Sequence, residues 1–345
     1  MSEGSRRARA GVRHAVVVAT AAALLAGCVD FSGSEAAPFT GPPTGRATTT
    51  TQTPPPVPSR GPKPPGPCID QDPMVLATCL TEPTAVIPES DLSHAYVAER
   101  GGAIQYTTTD LPNREVLRIG VDASGDGGLT SIALSPSYAQ DRLFYAYVST
   151  PTDNRVVRVT PGDEPKVILA GIPKGATGNA GSLLFVGRDL IVATGNAGDT
   201  AAARNPASLA GKVLRLPSPN TISPVRPQVL ATEGGVRASL CRSPKGGPIF
   251  VADQGATQDT LRVITPGTTD PVGVSWSWPD RPGLAGCAVT DGAVFVSESR
   301  AGKVEMVLLP DGSATADREP VQVLDRAKYG VFGRLAIGPR GCRRA

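Results

Sequence analysis

The sequence predicts an all-β protein, a β-propeller built of four-stranded blades. Three observations carry that prediction. First, one type of short apolar strand recurs along the chain, as HAYVAE (His94 to Glu99), LFYAYVS (Leu143 to Ser149), LIVAT (Leu190 to Thr194), IFVAD (Ile249 to Asp253) and VFVSE (Val294 to Glu298). Second, the copies lie roughly 45 to 60 residues apart, the length of a four-stranded blade. Third, each is followed by a polar turn and another strand, several ending near Pro-Gly or Pro-Asp-Gly, as in VVRVTPG, LRVITPG and VEMVLLPDG. Helical solenoids share this period, but no apolar stripe at helical spacing is sustained here.

An inner strand precedes each recurring strand: Leu129 to Leu134, Ser182 to Val186, Ala238 to Cys241 and Leu284 to Val289. One more candidate inner strand spans Gly333 to Ile337, after which the sequence runs Gly338-Pro339-Arg340-Gly341 and ends. The expectation is therefore a six-bladed ring with five fuller blades and a sixth reduced to its opening strand. A ring left open in this way would expose an edge strand.

Residues 1–27 read as an export signal. Arg6, Arg7, Arg9 and Arg13 form its basic end, and Ala15 to Ala26 form an apolar core too short to span a bilayer comfortably. The segment closes on Leu25-Ala26-Gly27-Cys28, which resembles a bacterial lipobox. It implies a lipid on Cys28, a mature chain beginning there, and anchorage to the outer side of the cell membrane. Residues 28–67 continue as Thr, Pro, Gly and Ser with almost no large apolar side chains. Such a stretch cannot bury enough surface to offset the entropy of ordering, so it reads as a disordered tether. Residues 68–345 are left for the propeller, long enough for one well-buried domain.

Charge excludes one class of partner. The chain's formal charge is +3, and residues 1–27, with four arginines and Glu3, account for all of it. A near-neutral remainder argues against nucleic acid. Cysteine usage fits an oxidising compartment. Cys68 and Cys79 bracket a short Pro-containing loop and make the first candidate bridge. Cys241 and Cys287 end the inner strands of successive blades, where they either bridge or stay as buried free thiols. Cys342 is left over. No CxxC zinc pattern is present, and His94, beyond the signal segment, starts a strand where a structural role fits best.

The stretch from Gly178 to Leu216 is the most informative of the chain. Strands at Leu190 to Thr194 and Lys212 to Leu216 flank a loop too long for a tight hairpin, carrying Asp199, Arg204 and Asn205. Long loops on a rigid sheet are where sites tend to sit. Four segments, this one included, together resemble the soluble quinoprotein aldose dehydrogenases of the glucose/sorbosone dehydrogenase family. They are Val97-Ala98-Glu99-Arg100-Gly101-Gly102, then Gly125-Asp126-Gly127-Gly128-Leu129 through Ser135-Pro136, then TGNAGD with NPASLAGKVLRL, and Asp253-Gln254-Gly255 through Pro266-Gly267 to Trp278-Pro279.

The resemblance implies a six-bladed propeller binding pyrroloquinoline quinone (PQQ) with calcium. It places Asp126, Asn179, Arg237 and Trp278 at the cofactor, with the backbone carbonyls of Gly255 and Ala256 facing calcium. In the family, a histidine opening an HNGGRL segment takes the sugar's hydroxyl proton. Here that position is Gly178, in GNAGSL, and glycine has no group that accepts a proton. The family's Arg-Asn pair is Arg237-Ala238, and its later Asp-Glu-x-Asn run is Asp259-Thr260-Leu261-Arg262. Arginine suits a planar carboxylate. Three readings follow: a tethered propeller binding a small molecule or a protein, a PQQ-dependent sugar or aldehyde oxidoreductase using another base, and a structural envelope module.

Overall fold

The computed structural model describes residues 63–219, 226–265, 272–310 and 313–338. The signal segment, Cys28, most of the tether, Pro266-Gly267 and Cys342 lie outside the described residues.

The described strands form five antiparallel sheets of four strands, each taken consecutively from the chain. Blade 1 comprises β1 (Pro83–Pro88), β2 (His94–Glu99), β3 (Ala103–Thr108) and β4 (Arg114–Arg118). In blade 2, β5 (Leu129–Leu134) is followed by helix α1 (Tyr138–Asp141), β6 (Phe144–Ser149), β7 (Asn154–Val159) and β8 (Lys166–Ile172). Blade 3 has β9 (Ser182–Val186), β10 (Asp189–Ala193), helix α2 (Thr200–Arg204), β11 (Val213–Leu216) and β12 (Gln228–Ala231). Blade 4 contains β13 (Arg237–Ser243), β14 (Gly246–Gln254), β15 (Asp259–Ile264) and β16 (Val272–Trp278). Blade 5 is made of β17 (Leu284–Thr290), β18 (Ala293–Glu298), β19 (Lys303–Leu308) and β20 (Val321–Asp325), and helix α3 (Arg326–Tyr329) follows it. The innermost strands touch in succession, β1 to β5 to β9 to β13 to β17.

The alternation of side chains along each strand explains why the blades stack. A strand in the middle of a propeller blade is buried on both faces, so it is largely apolar, and its odd and even positions serve different neighbours. On β10, Leu190 and Val192 pack with Tyr145, Tyr147 and Leu169 of blade 2. Ile191 and Ala193 pack with Leu240, Ile249 and Val251 of blade 4. The same division repeats on β14, whose Phe250 and Ala252 join Val289, Val294 and Val296 of blade 5. Both candidate bridges are formed, Cys68–Cys79 with Cα atoms 5.4 Å apart and Cys241–Cys287 with Cα atoms 5.7 Å apart. The second ties the inner strands of blades 4 and 5.

The expected sixth blade is not there: the described strands make five blades. Residues 333–337, expected as its opening strand, have no strand pairing. The reason is where they dock. A β-carbon on Gly286 of β17 would lie 2.5 Å from the Leu335 nitrogen and 2.7 Å from the Arg334 Cα. Side chains project from the faces of a sheet, so the segment lies on the face of blade 5, as each inner strand lies on its neighbour, but among the described residues no strand stands beside it to form a ladder. Ser297 on β18 donates its hydroxyl to the Gly333 carbonyl at 2.5 Å.

A polar residue closes each recurring strand: Glu99, Ser149, Thr194, Asp253 and Glu298. Two of the acids cap the chain entering their own blade. Glu99 accepts from the Thr81 N–H at 2.7 Å, and Asp253 from the Gly235 N–H at 2.8 Å. Glu298 lacks this partner because Asp259 of blade 4 has already taken the Gly283 N–H, at 2.7 Å. Glu298 is fully buried, and neither carboxyl oxygen has a hydrogen-bond partner among the described residues. The Lys303 ammonium stands 3.4 Å away but leans more closely on Glu305, which also accepts from the Trp278 indole N–H at 2.9 Å.

Burial, and then the neighbouring Glu305 carboxylate, push the Glu298 carboxyl up from its ordinary 4.5 to about 8. Glu305 moves the other way, because its hydrogen bonds from Lys303 and Trp278 outweigh burial. A carboxyl that holds its proton more tightly when folded contributes stability in full below its unfolded pKa and loses it as pH rises through about 8. The stability of the protein is expected to fall between about pH 4.5 and about pH 8, by at most about 1.4 kcal/mol per pH unit from this group, which adds no further slope above that range. Glu298→Gln, which keeps the neutral shape, should flatten the fall in a series of urea melts. An identical slope between about pH 4.5 and about pH 8 in the variant would remove Glu298 as its cause.

Candidate functional site

The starts of the inner strands converge on a pocket of about 310 Å3. Glu82 precedes β1, Asp126 lies in the loop before β5, and Arg237 is the first residue of β13, paired in the ladder with Gln254. Arg100, just after β2, and Thr130 of β5 add to the wall, and Arg334 enters from the segment docked on blade 5.

Three guanidinium groups are thus brought together, and their partners differ. Arg100 is neutralised by Glu82, with a contact of 2.7 Å, and also donates to the Gly125 carbonyl at 2.6 Å. Arg237 forms no ion pair among the described residues. Arg334 donates only to neutral atoms: the Ser182 hydroxyl at 2.6 Å, the Ser239 hydroxyl at 3.1 Å and the Gly181 carbonyl at 2.5 Å. Burial of its guanidinium among protein atoms, and then repulsion from Arg237, lower its pKa to about 9. It therefore remains charged at neutral pH. The pocket holds two cations with no carboxylate against them, an arrangement suited to an anionic ligand.

Asp126, the second acid of this wall after Glu82, is already well supplied with donors. Its carboxylate accepts from the Gly178 N–H at 2.8 Å, the Asn179 N–H at 3.2 Å and the Asn179 side-chain amide at 2.8 Å. Asn179 is fully buried, and its amide also spans Gly175, donating to the carbonyl at 2.8 Å and accepting from the N–H at 2.9 Å. Its side-chain oxygen receives Asn154 as well, at 3.3 Å. Its polar atoms therefore hold the 175–179 loop in place and have little left to offer a ligand.

Gly178 is specified by its backbone. Its φ is +76°, where an L side chain is strained. A β-carbon there would meet the Gly198 nitrogen at 2.7 Å, and the Ala197 nitrogen and Asn196 Oδ1 at 2.8 Å each. The space a side chain would need is filled by the 196–198 turn. That turn is fixed in its own right, since the Asn196 N–H donates to the Gly235 carbonyl at 3.0 Å, the Asp199 N–H to the Asn196 carbonyl at 2.9 Å and the Gly198 N–H to the Asn196 side-chain oxygen at 2.9 Å.

The remaining candidates lie elsewhere. Trp278 ends the outer strand of blade 4 and packs in the core between blades 4 and 5. Gly255 and Ala256 form the turn after β14 and line a separate cleft of about 820 Å3 between blades 3 and 4, beside Asp253 and Arg262. Asp253 is raised to about 6, chiefly by burial, but it is committed to the Gly235 N–H and to Arg262 at 3.6 Å. No group of three or more His, Cys, Asp or Glu that could hold a metal occurs among the described residues. Its nearby carboxylate is thus occupied, and calcium at this turn would rest on the backbone carbonyls of Gly255 and Ala256. His94 sits at the far end of β2 from Arg100, its ring hydrogen-bonded to Asp91 at 2.7 Å. Sequence reasoning missed Arg334. The signal that could have found it is Ser182 and Ser239, small polar residues inside otherwise apolar inner strands.

The chain matches the profile of the family described as Glucose / Sorbosone dehydrogenase over residues 80–267. Among solved structures, the PQQ-bound aldose sugar dehydrogenase of Streptomyces coelicolor is 26% identical, with a TM-score of 0.65 over 76% of this chain and 86% of its own. The soluble aldose sugar dehydrogenase of Escherichia coli, solved in its apo form, is 16% identical, with a TM-score of 0.62 over 76% of this chain and 92% of its own. At that identity the likeness concerns the fold alone. No protein of curated function matches in sequence. The family match begins ahead of β1 and extends past β15, more than half of the sequence, and on that ground the chain belongs to the glucose/sorbosone dehydrogenase family.

Proposed function

We propose that this propeller is a ligand-binding member of its family that holds a small carboxylate-bearing molecule in the central pocket and does not oxidise sugars by the family's route. The observation that carries the reading is the pair Arg237 and Arg334, two guanidinium groups that line one pocket and form no ion pair among the described residues, while the pocket's acids, Glu82 and Asp126, are held by Arg100 and by the Gly178 and Asn179 N–H groups. PQQ is the first ligand to consider, because a relative was solved in its PQQ-bound form and the two arginines suit the carboxylates of such a quinone. When bound, that group would supply a hydride acceptor. What the chain's own residues supply is charge and orientation: Arg237 and Arg334 would grip carboxylates, while Asp126, held from behind by Gly178 and Asn179, lines the same pocket.

Turnover needs a proton acceptor beside the substrate, and Gly178 offers none. A second reading, an active oxidoreductase using another base, is favoured by Asp126, the acid that faces the pocket beside Gly178. Against it stand the three N–H groups that already occupy this carboxylate. The two readings separate in a dye-reduction assay with PQQ, calcium and a panel of aldoses. We expect no rate above the protein-free blank, and a substrate-dependent rate abolished by Asp126→Asn would establish the second reading instead. Anchorage through a lipid on Cys28, at the outer side of the cell membrane, is part of the proposal and rests on the N-terminal sequence.

A further inference from the structure

The way residues 333–338 are attached connects the central pocket to the last blade. Among the described residues four hydrogen bonds tie this segment to the blades, one from Ser297 and three from the Arg334 guanidinium. No ladder supports it. The segment reaches from blade 5, where Gly286 leaves room for it, to blade 1, where a β-carbon on Gly338 would lie 2.1 Å from Leu92. Arg334 passes inward from there to the inner strands of blades 3 and 4, through Ser182 and Ser239. A single side chain therefore holds most of the segment's polar contacts, and the same side chain faces Arg237 across the pocket.

We propose that residues 333–338 are a ligand-controlled latch, closed across blade 5 when an anion sits between Arg237 and Arg334 and loosened when the pocket is empty. The inference rests on the central pocket being an anion site, as proposed above. Without an anion, two like charges share a pocket whose partners to Arg334 are neutral, and their repulsion acts to withdraw the side chain that anchors the segment. An anion reverses the sign of that interaction and adds charge-assisted hydrogen bonds. Linkage makes the coupling reciprocal: whatever loosens the segment must weaken the anion by the same factor.

That reciprocity supplies a test without a sugar assay. Amide hydrogen exchange of residues 333–338 would be followed in the full protein, free and with citrate or PQQ at about a hundredfold excess over Kd. If opening releases the ligand, exchange should slow by up to about a hundredfold in the wild type. Arg334→Gln, which keeps donor atoms but not the charge, should remove the slowing. Gly286→Val, which touches no ligand, should displace the segment and weaken binding about tenfold, a shift of about 1.4 kcal/mol. Binding with unchanged exchange of the segment would overturn the latch and leave the pocket reading standing, as would full affinity in a folded Gly286→Val. Failure of both probes to bind would overturn the two together. Should Gly286→Val fail to fold, the comparison of the wild type with Arg334→Gln decides.

Discussion

Placing a histidine at position 178 is expected to destabilise the protein and to restore no sugar oxidation. A left-handed backbone costs a side-chain-bearing residue about 1–2 kcal/mol, and forcing atoms into filled space costs about 1–3 kcal/mol more. The β-carbon alone would fall within 2.8 Å of three polar atoms of the 196–198 turn. A combined loss of about 2–5 kcal/mol should lower the melting temperature by roughly 5–15 °C. The imidazole could be accommodated only by moving a turn that the Asn196 side chain and its backbone bonds to Gly235 and Asp199 hold in place. The lost base is therefore not a single missing side chain, because its place is closed. A Gly178→His variant that melted like the wild type and reduced dye with an aldose would show that the turn yields easily, and this account of the site would be wrong.

Removing the Cys241–Cys287 bridge is the other change expected to have a large effect. The two cysteines are 46 residues apart in sequence, and closing a loop of that length restricts the unfolded chain by about 4 kcal/mol. Both residues are also buried in the core between blades 4 and 5, so alanine at each position loses packing as well. The Cys68–Cys79 bridge spans 11 residues and lies outside the blades, worth about 3 kcal/mol at most and confined to its own loop. Denaturant melts of the two double-alanine variants should rank them accordingly, with the midpoint displaced far more by loss of Cys241 and Cys287. Equal midpoints would mean that the inter-blade bridge adds nothing that packing does not already supply.

Much of the fold was legible because a propeller repeats itself. The recurring strands fell within a residue or two of β2, β6, β10 and β18, and within the longer β14, since apolar runs bounded by turn residues are a local signal. The Cys68–Cys79 bridge was legible from the short loop it brackets, while strand register left Cys241 and Cys287 open between a bridge and two buried thiols. The blade count was not. Residues 333–337 have the composition of an inner strand, but a strand exists only where another stands beside it to pair, and among the described residues none does. Helix α2 was read as open loop because it is five residues long and owes its existence to one capping aspartate.

The candidate site was legible in part. Asp126 and Arg237 do meet in one pocket, each placed there by the start of an inner strand. Trp278 and the Gly255-Ala256 turn belong to blade 4 like Arg237, but radial position within a blade, invisible in sequence order, puts them in a core and in a separate cleft. Arg334 could not be found locally, because its significance comes from blades 3 and 4, whose contacts to it are 152 and 95 residues away in sequence.

The central claim is that Arg237 and Arg334 together make an anion-binding pocket, and equilibrium titration with PQQ at low ionic strength tests it most directly. Quinone absorbance would be followed in the wild type and in the Arg237→Ala and Arg334→Gln variants, each checked for folding by its melting curve. A hydrogen bond to a charged group is worth about 1.5–3 kcal/mol, so each variant should weaken saturable one-site binding by roughly tenfold or more. A folded wild-type protein that does not saturate, or equal affinity in all three proteins, would contradict the claim.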